Sequence, residues 1–211
     1  MSSTKRIIIA DDHSIVRRGV VMLLNRLNIN NNIIESSTFD EVLKICDNEE
    51  PELIILDINL PGGNSSKMIS DILVRQPHCK ILVFTSYEED VYAEAFLQLG
   101  ALGYVNKLSS EDDIETAIQT TLTNKTFISK AFAQKLKERR PGKSTNPIKS
   151  LSERELEIGR LLAKGKGNLD ITQELGLKAS TISTYKQRMF FKLNVSNIAD
   201  LIAIFKKYDV E

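Results

Sequence analysis

The chain has 211 residues, with 28 basic and 28 acidic side chains, 42% apolar residues and 27% charged ones. These are values for one or two globular domains, and they exclude long disorder. No run of about 18 apolar residues occurs, so no membrane helix is expected. The opening residues, MSSTKRIIIADD, hold an apolar stretch too short for a signal-peptide core, which places the expected protein in the cytoplasm. Cys46, Cys79 and two scattered histidines supply neither a zinc cluster nor a disulfide framework.

The zero total hides two unlike halves. Residues 1–125 carry 11 Lys/Arg against 19 Asp/Glu, and residues 126–211 carry 17 against 9. Net charges of −8 and +8 point to two domains with different partners, a cation for one and a polyanion for the other.

In the first half, short apolar runs alternate with helical patterns. The runs are Lys5–Ala10, Ile33–Ser37, Leu53–Ile58, Lys80–Thr85 and Ala101–Asn106. Rich in Ile, Leu and Val without polar alternation, they read as strands buried on both faces. Between them Val16, Val20, Leu23, Leu24 and Leu27 mark one helix face, Met68, Ile69, Ile72 and Leu73 a second, and Val91, Ala95 and Phe96 a third. The pattern predicts an α/β doubly wound, five-stranded parallel sheet covered by helices on both sides.

Ligands of such sheets sit beyond the carboxyl ends of the strands. The runs end in Asp11–Asp12, in Asp57, in Thr85–Ser86 and in Asn106–Lys107. Three carboxylates close together repel strongly, and a small divalent cation among them relieves that repulsion. Hard oxygen donors with room for water suit Mg2+. Lys107 and Thr85 could then hold two oxygens of a phosphoryl group, whose transfer is mostly positioning and charge neutralisation. No Gly-rich loop followed by Lys-Ser or Lys-Thr is present, so phosphate is received and not taken from ATP.

The segments IIIADDH, LIILDINLPG, ILVFTS and GYVNK resemble the receiver domain of bacterial two-component response regulators, over about residues 4–125. The resemblance implies that Asp57 accepts a phosphoryl group from a phosphohistidine on a sensor histidine kinase. It implies Mg2+ held directly by Asp12, largely through water by Asp11, and by Asp57 and the carbonyl of Asn59. Thr85 and Lys107 would bind the phosphoryl group, with Thr85 and the aromatic Tyr104 as the switch pair. The chain departs from the family after Pro61–Gly62, where an acidic residue is usual and Gly63–Asn64–Ser65–Ser66 stands. Tyr87, two residues after Thr85, is placed to overhang the phosphate. His13 reads as a helix-start residue.

Residues 126–147 read as a connector. Residues 129–138 can form a short helix with Phe132 and Leu136 four apart. RRPGKSTNPIKS (139–150) reads as flexible linker. Its basic charge suits either DNA phosphates or the acidic first domain.

The last domain, 148–211, reads as four short helices. Ser152 and Glu155 form a capping box that opens the first, through about Ala163. The second runs from about Leu169 to Leu175 and closes on Gly176. The third spans Ala179–Leu193 and the fourth about Asn197–Tyr208. Helices two and three have helix-turn-helix spacing. In helix three Ile182, Tyr185, Met189 and Leu193 form the inward stripe, and Ser180, Ser183, Thr184, Gln187 and Phe191 face outward. Lys178, Lys186, Arg188 and Lys192 flank them, and the helix holds no acid. Small polar groups edged by cations suit base edges and phosphates respectively.

LSERELEIGRLLAKG and ITQELGLKASTISTYKQRMFFKL resemble the LuxR-type DNA-binding domain of NarL/FixJ regulators. By that resemblance Ser183, Thr184 and Gln187 reach bases, while Thr181 and Lys186 touch phosphates, with Lys178 and Arg188 beside them. The family often has Lys-x-His where Ser183–Thr184–Tyr185 stands. The whole reading is a DNA-binding response regulator rather than an enzyme, acting on double-stranded DNA and dimerising when phosphorylated. Ile198, Leu201 and Phe205 on the fourth helix form either a dimer surface or core packing. A Mg2+-dependent phosphatase and a DNA-independent adaptor remain as other classes.

Overall fold

The computed structural model describes residues 5–27, 31–138, 146–195, 197–208 and 210. It divides into two compact units, Met1–Arg139 and Arg140–Glu211.

The first unit holds β1 (Lys5–Ala10), α1 (Ser14–Arg26), β2 (Asn31–Ser36), α2 (Phe39–Asn48), β3 (Leu53–Leu56), α3 (Ser65–Arg75), β4 (Lys80–Thr85), α4 (Glu89–Gln98), β5 (Gly103–Asn106), α5 (Glu111–Leu122) and α6 (Lys130–Glu138). The strands pair in parallel in the order β2-β1-β3-β4-β5. This is the doubly wound sheet expected from the apolar runs. Successive side chains alternate between faces. Ile7, Ile9, Leu53, Ile55, Leu82, Phe84 and Val105 pack with α1 and α5 through Val20, Leu24, Ala117 and Ile118. Their neighbours Ile8, Ile54, Leu56, Ile81, Val83 and Tyr104 are buried too, which explains the lack of polar alternation in the sequence.

Local signals fix the helix starts. The Thr38 hydroxyl and Glu41 carboxylate form a reciprocal box at α2, and Ser110 caps α5. The β2 and β5 runs start two residues away from where apolarity alone put them, and β3 ends at Leu56, because ladder pairing sets a strand's limits.

The second unit holds a 3-10 turn (Pro147–Ser150), α7 (Glu153–Ala163), α8 (Asn168–Leu175), α9 (Ala179–Leu193) and α10 (Ile198–Lys207). Its core joins Ile158, Leu162, Ile171, Ile182, Met189, Leu193, Leu201 and Phe205. Gly159 lets α7 and α10 approach closely: a Cβ there would lie 2.5 Å from the Phe205 ring. Gly176 ends α8 in the left-handed conformation, at φ 63°.

Residues 147–150, expected as flexible linker, form a 3-10 turn whose Ile148 is buried in the second core. An apolar side chain inside a Pro-Ile-Lys-Ser stretch outweighs the breaker residues around it. The fourth-helix surface also shrinks, since Leu201 and Phe205 are buried in the domain's own core and only Ile198 is exposed. The connector segment 139–145 lies outside the described residues.

Candidate functional sites

The rim at the carboxyl ends of β1, β3, β4 and β5 is assembled by backbone bonds. The Asp11 N–H donates to the Ser36 carbonyl at 3.1 Å, the Asp57 N–H to the Ala10 carbonyl at 2.8 Å, and the Lys107 N–H to the Thr85 carbonyl at 2.9 Å. Residues far apart in sequence are thereby held at one edge.

Lys107 is the centre of the cluster. Its Nζ lies 2.6 Å from Asp11 Oδ2 and 2.6 Å from Asp57 Oδ2. Both carboxylates are almost fully buried. Burial disfavours the Lys107 ammonium, but hydrogen bonds and charge from Asp11 and Asp57 outweigh it and raise its pKa. Asp57 Oδ1 accepts the Asn59 N–H at 3.0 Å. Asp11 Oδ1 accepts the His13 N–H at 2.9 Å.

Asp12 stands apart. Its carboxylate is exposed and lies 2.7 Å from His13 Nδ1. His13 is the residue before α1 and makes no side-chain cap there, so its ring is turned to the acids. Ligand atoms of Asp11, Asp12 and His13 all come within 4.8 Å of one another. The buried Asp11 and the water-accessible Asp12 supply hard oxygen donors of the kind a small divalent cation takes, and Asp57 shares the Lys107 ammonium with Asp11. The ammonium already seated between two carboxylates shows that this pocket demands positive charge.

The opposite wall is a set of bonds onto Tyr87 that the sequence did not reveal. The Tyr104 hydroxyl donates to the Tyr87 carbonyl at 3.1 Å, and Asn106 Nδ2 donates to the same oxygen at 2.9 Å. The Tyr87 N–H points at Thr85 Oγ1, 3.4 Å away, and the Tyr87 hydroxyl reaches Asn59 Oδ1 at 3.3 Å. Burial, with the charge of Asp57 added, pushes the Tyr87 phenol up. Tyr104 is fully buried and Thr85 nearly so. Asn106 carried a signal only as a strand-end amide.

In the second unit, α8, Gly176 and α9 form the expected helix-turn-helix. Ile182, Met189 and Leu193 are buried beneath α9. Lys178, Ser180, Thr184 and Gln187 are exposed, while Thr181, Ser183, Lys186 and Arg188 are half-buried. The Arg188 guanidinium lies over the Tyr185 ring, 5.6 Å from its centroid. The Thr184 hydroxyl donates to the Ser180 carbonyl at 3.0 Å, which leaves its oxygen as an acceptor.

Lys192 does not flank the recognition face. Its Nζ sits 2.7 Å from Glu155 Oε2, a carboxylate only 2% exposed that also accepts the Ser152 N–H. One glutamate thus caps α7 and anchors α9. Lys192→Met is expected to destabilise the second unit by about 2 kcal/mol, because it leaves a buried charge unpaired. Urea unfolding checks this, and adding Glu155→Gln should recover part of the loss.

Family comparisons match this architecture in both halves. Residues 7–119 match the "response regulator receiver domain" family, and residues 149–205 match "bacterial regulatory proteins, luxR family". The chain is a response regulator. It is 31% identical to "Oxygen regulatory protein NreC" of Staphylococcus epidermidis over 93% of this chain and 94% of that one. It is 29% identical to "Response regulator GacA" of Pseudomonas aeruginosa, over 93% and 92%. Among solved structures it resembles Salmonella typhimurium RcsB, with a TM-score of 0.60 at 26% identity, covering 98% of this chain and all of that one. Like its family, this response regulator takes its signal from a histidine kinase and delivers it to DNA. Among the described residues no helix is long and apolar enough to cross a membrane.

Proposed function

We propose that Asp57 is the phospho-acceptor and that its acyl phosphate controls sequence-specific DNA binding by α9. The observation that carries this is the Lys107 ammonium held between two buried carboxylates at the rim where β1, β3 and β5 end. An Asp57 oxygen attacks the phosphorus of a kinase phosphohistidine. The P–N bond breaks, its electron pair returns to the imidazole, and that nitrogen takes up a proton. Lys107 neutralises the oxyanion charge and the Thr85 hydroxyl donates to a phosphoryl oxygen. Asp11, Asp12, Asp57 and the Asn59 carbonyl would hold Mg2+, which supplies further charge neutralisation when bound. The chain acts in the cytoplasm as a stoichiometric acceptor, without turnover of small phosphomonoesters. A kinase phosphotransfer assay with and without Mg2+ tests it: label should appear on the wild type and not on Asp57→Ala.

The link to Tyr104 runs through Thr85 and Tyr87. Drawing the Thr85 hydroxyl to a phosphoryl oxygen removes the acceptor facing the Tyr87 N–H. The Tyr87 carbonyl in turn holds the buried Tyr104 hydroxyl. New charge at one point therefore biases an element with two arrangements.

Tyr87 also shields the acceptor. Its hydroxyl is tied to Asn59, the residue two beyond Asp57. Tyr87→Ala should open a path for the attacking water and speed hydrolysis of the acyl phosphate by roughly tenfold, equivalent to about 1.4 kcal/mol of barrier. Loss of phosphate followed over time checks this, and a rate equal to the wild type would remove the shielding role.

On the DNA side, RcsB is described as forming dimers bound to DNA. We place this chain in the same mode, a two-fold dimer on paired half-sites with α9 in the major groove. Ser183, Thr184 and Gln187 read bases. Lys178, Thr181, Lys186 and Arg188 hold phosphates. Gln187→Ala should cost about 1–3 kcal/mol at one base position, whereas Lys186→Ala should weaken all sequences alike and lower the salt slope by about 1. Binding titrations at several salt concentrations separate the two.

A further inference from the structure

The connector between the domains begins as part of the receiver. Phe127 forms a parallel bridge with Gly103 at the free edge of β5. The Phe127 N–H donates to the Leu102 carbonyl at 3.0 Å, and the Tyr104 N–H donates to the Phe127 carbonyl at 3.0 Å. The connector is therefore bonded to the backbone of Tyr104 itself.

Three residues later the chain enters α6, which is tied to the first turn of α4. The Ser129 N–H donates to Glu89 Oε1 at 2.8 Å. The Ser129 hydroxyl accepts the Phe132 N–H at 3.1 Å, so the residue that touches α4 also caps α6. Lys135 pairs with Asp90. Between these two ties Phe132 is 1% exposed, on a helix that otherwise presents Lys130, Gln134, Lys137 and Glu138 to water. A nine-residue helix with one buried aromatic is too short to persist without such ties.

The Tyr104 ring is held by neighbouring residues of the same region. Its hydroxyl is bonded to Tyr87, just before α4, and its ring lies 6.4 Å from that of Phe96 on α4. Moving this ring out of its buried site must break the Tyr87 bond and disturb the start of α4, where Glu89 and Asp90 hold α6.

We propose that α6 and the Phe127 bridge just before it form a latch: with α6 docked on the first turn of α4 and Phe127 bonded to the backbone of Tyr104, it holds that ring buried, and the two release together. In sequence α6 lies between the receiver and the DNA-binding unit, so the latch couples the switch to the segment that joins them. Linkage is reciprocal, and whatever stabilises the buried ring stabilises the docked helix. This last step rests on Asp57 being the phospho-acceptor.

Hydrogen exchange on the full chain, read by mass spectrometry, tests the latch. Without any ligand, Lys135→Glu and Asp90→Lys should each speed exchange in residues 130–138 and at Phe127 and Tyr104 by roughly threefold, the scale of one exposed ion pair. Combining both charge reversals should restore protection in both segments. Phe132→Ala should release both more fully. Faster exchange in α6 with Phe127 and Tyr104 unchanged would overturn the proposal, as would a double variant no better protected than either single one. Adding Mg2+ and beryllofluoride to the wild type should raise protection in both segments together. Protection near Asp57 and Thr85 with α6 unaffected overturns the latch and leaves the acceptor reading standing. No protection anywhere under those conditions would count against the acceptor reading, with the ligand-free variants still deciding the latch.

Discussion

Asp57→Ala should leave a folded protein that binds DNA at its basal affinity and no longer responds to a phosphodonor. The fold survives because Lys107 keeps Asp11 as a partner, 2.6 Å away, so the buried ammonium stays neutralised. The response is lost because Asp57 is the carboxylate that touches both Lys107 and the Asn59 N–H at the rim. Couplings of this kind are commonly worth 1–3 kcal/mol, roughly 5- to 150-fold in affinity, and the variant should lose all of it. Anisotropy titrations of labelled promoter DNA, with and without a small phosphodonor at one fixed salt concentration, measure the effect. A variant that still tightens its DNA binding would show that the signal enters elsewhere.

The rim was legible because a parallel sheet makes an unusually strict promise about place. Each apolar run has a direction, and every run delivers its last residues to the same edge. Asp11, Asp57, Thr85 and Lys107 could therefore be collected from four separate segments, and Lys107 is indeed bonded to Asp11 and Asp57. The recognition helix was legible for a related reason, since the spacing of Ile182, Met189 and Leu193 fixes which face remains for Ser183, Thr184 and Gln187.

What stayed hidden were choices of partner. Lys192 looks like any flanking cation until α7 places Glu155 beside it, 37 positions back in the chain. Phe127 is one aromatic in a polar connector, and nothing local says that it extends the β5 edge. Tyr87 was readable as an overhang, yet the bonds from Tyr104, Asn106 and its own hydroxyl depend on loops whose course periodicity does not report. Asp12 belongs to the same class: its carboxylate is paired with its neighbour in sequence, His13, at 2.7 Å.

Lys107→Met should lower the stability of the receiver strongly. The change keeps the length of the side chain and removes the one cation shared by two buried carboxylates. Breaking such an arrangement costs on the order of 3 kcal/mol, because the remaining charges are left without compensation. Two further measurements separate this cause from lost packing. First, Mg2+ should stabilise the variant more than the wild type, since a divalent cation restores the missing charge and binds the folded state selectively. Second, the stability gap should depend on pH in a defined direction. The folded-state pKa of Lys107 is raised, so its contribution is complete below the ordinary lysine value of about 10.4 and disappears as pH rises through the folded value. Urea unfolding should therefore show a constant gap between wild type and variant from about pH 7 to 9, closing only above pH 10 or so. A gap that persists at high pH, with equal gains from Mg2+ in both proteins, would assign the loss to packing of the methylene chain instead of to charge.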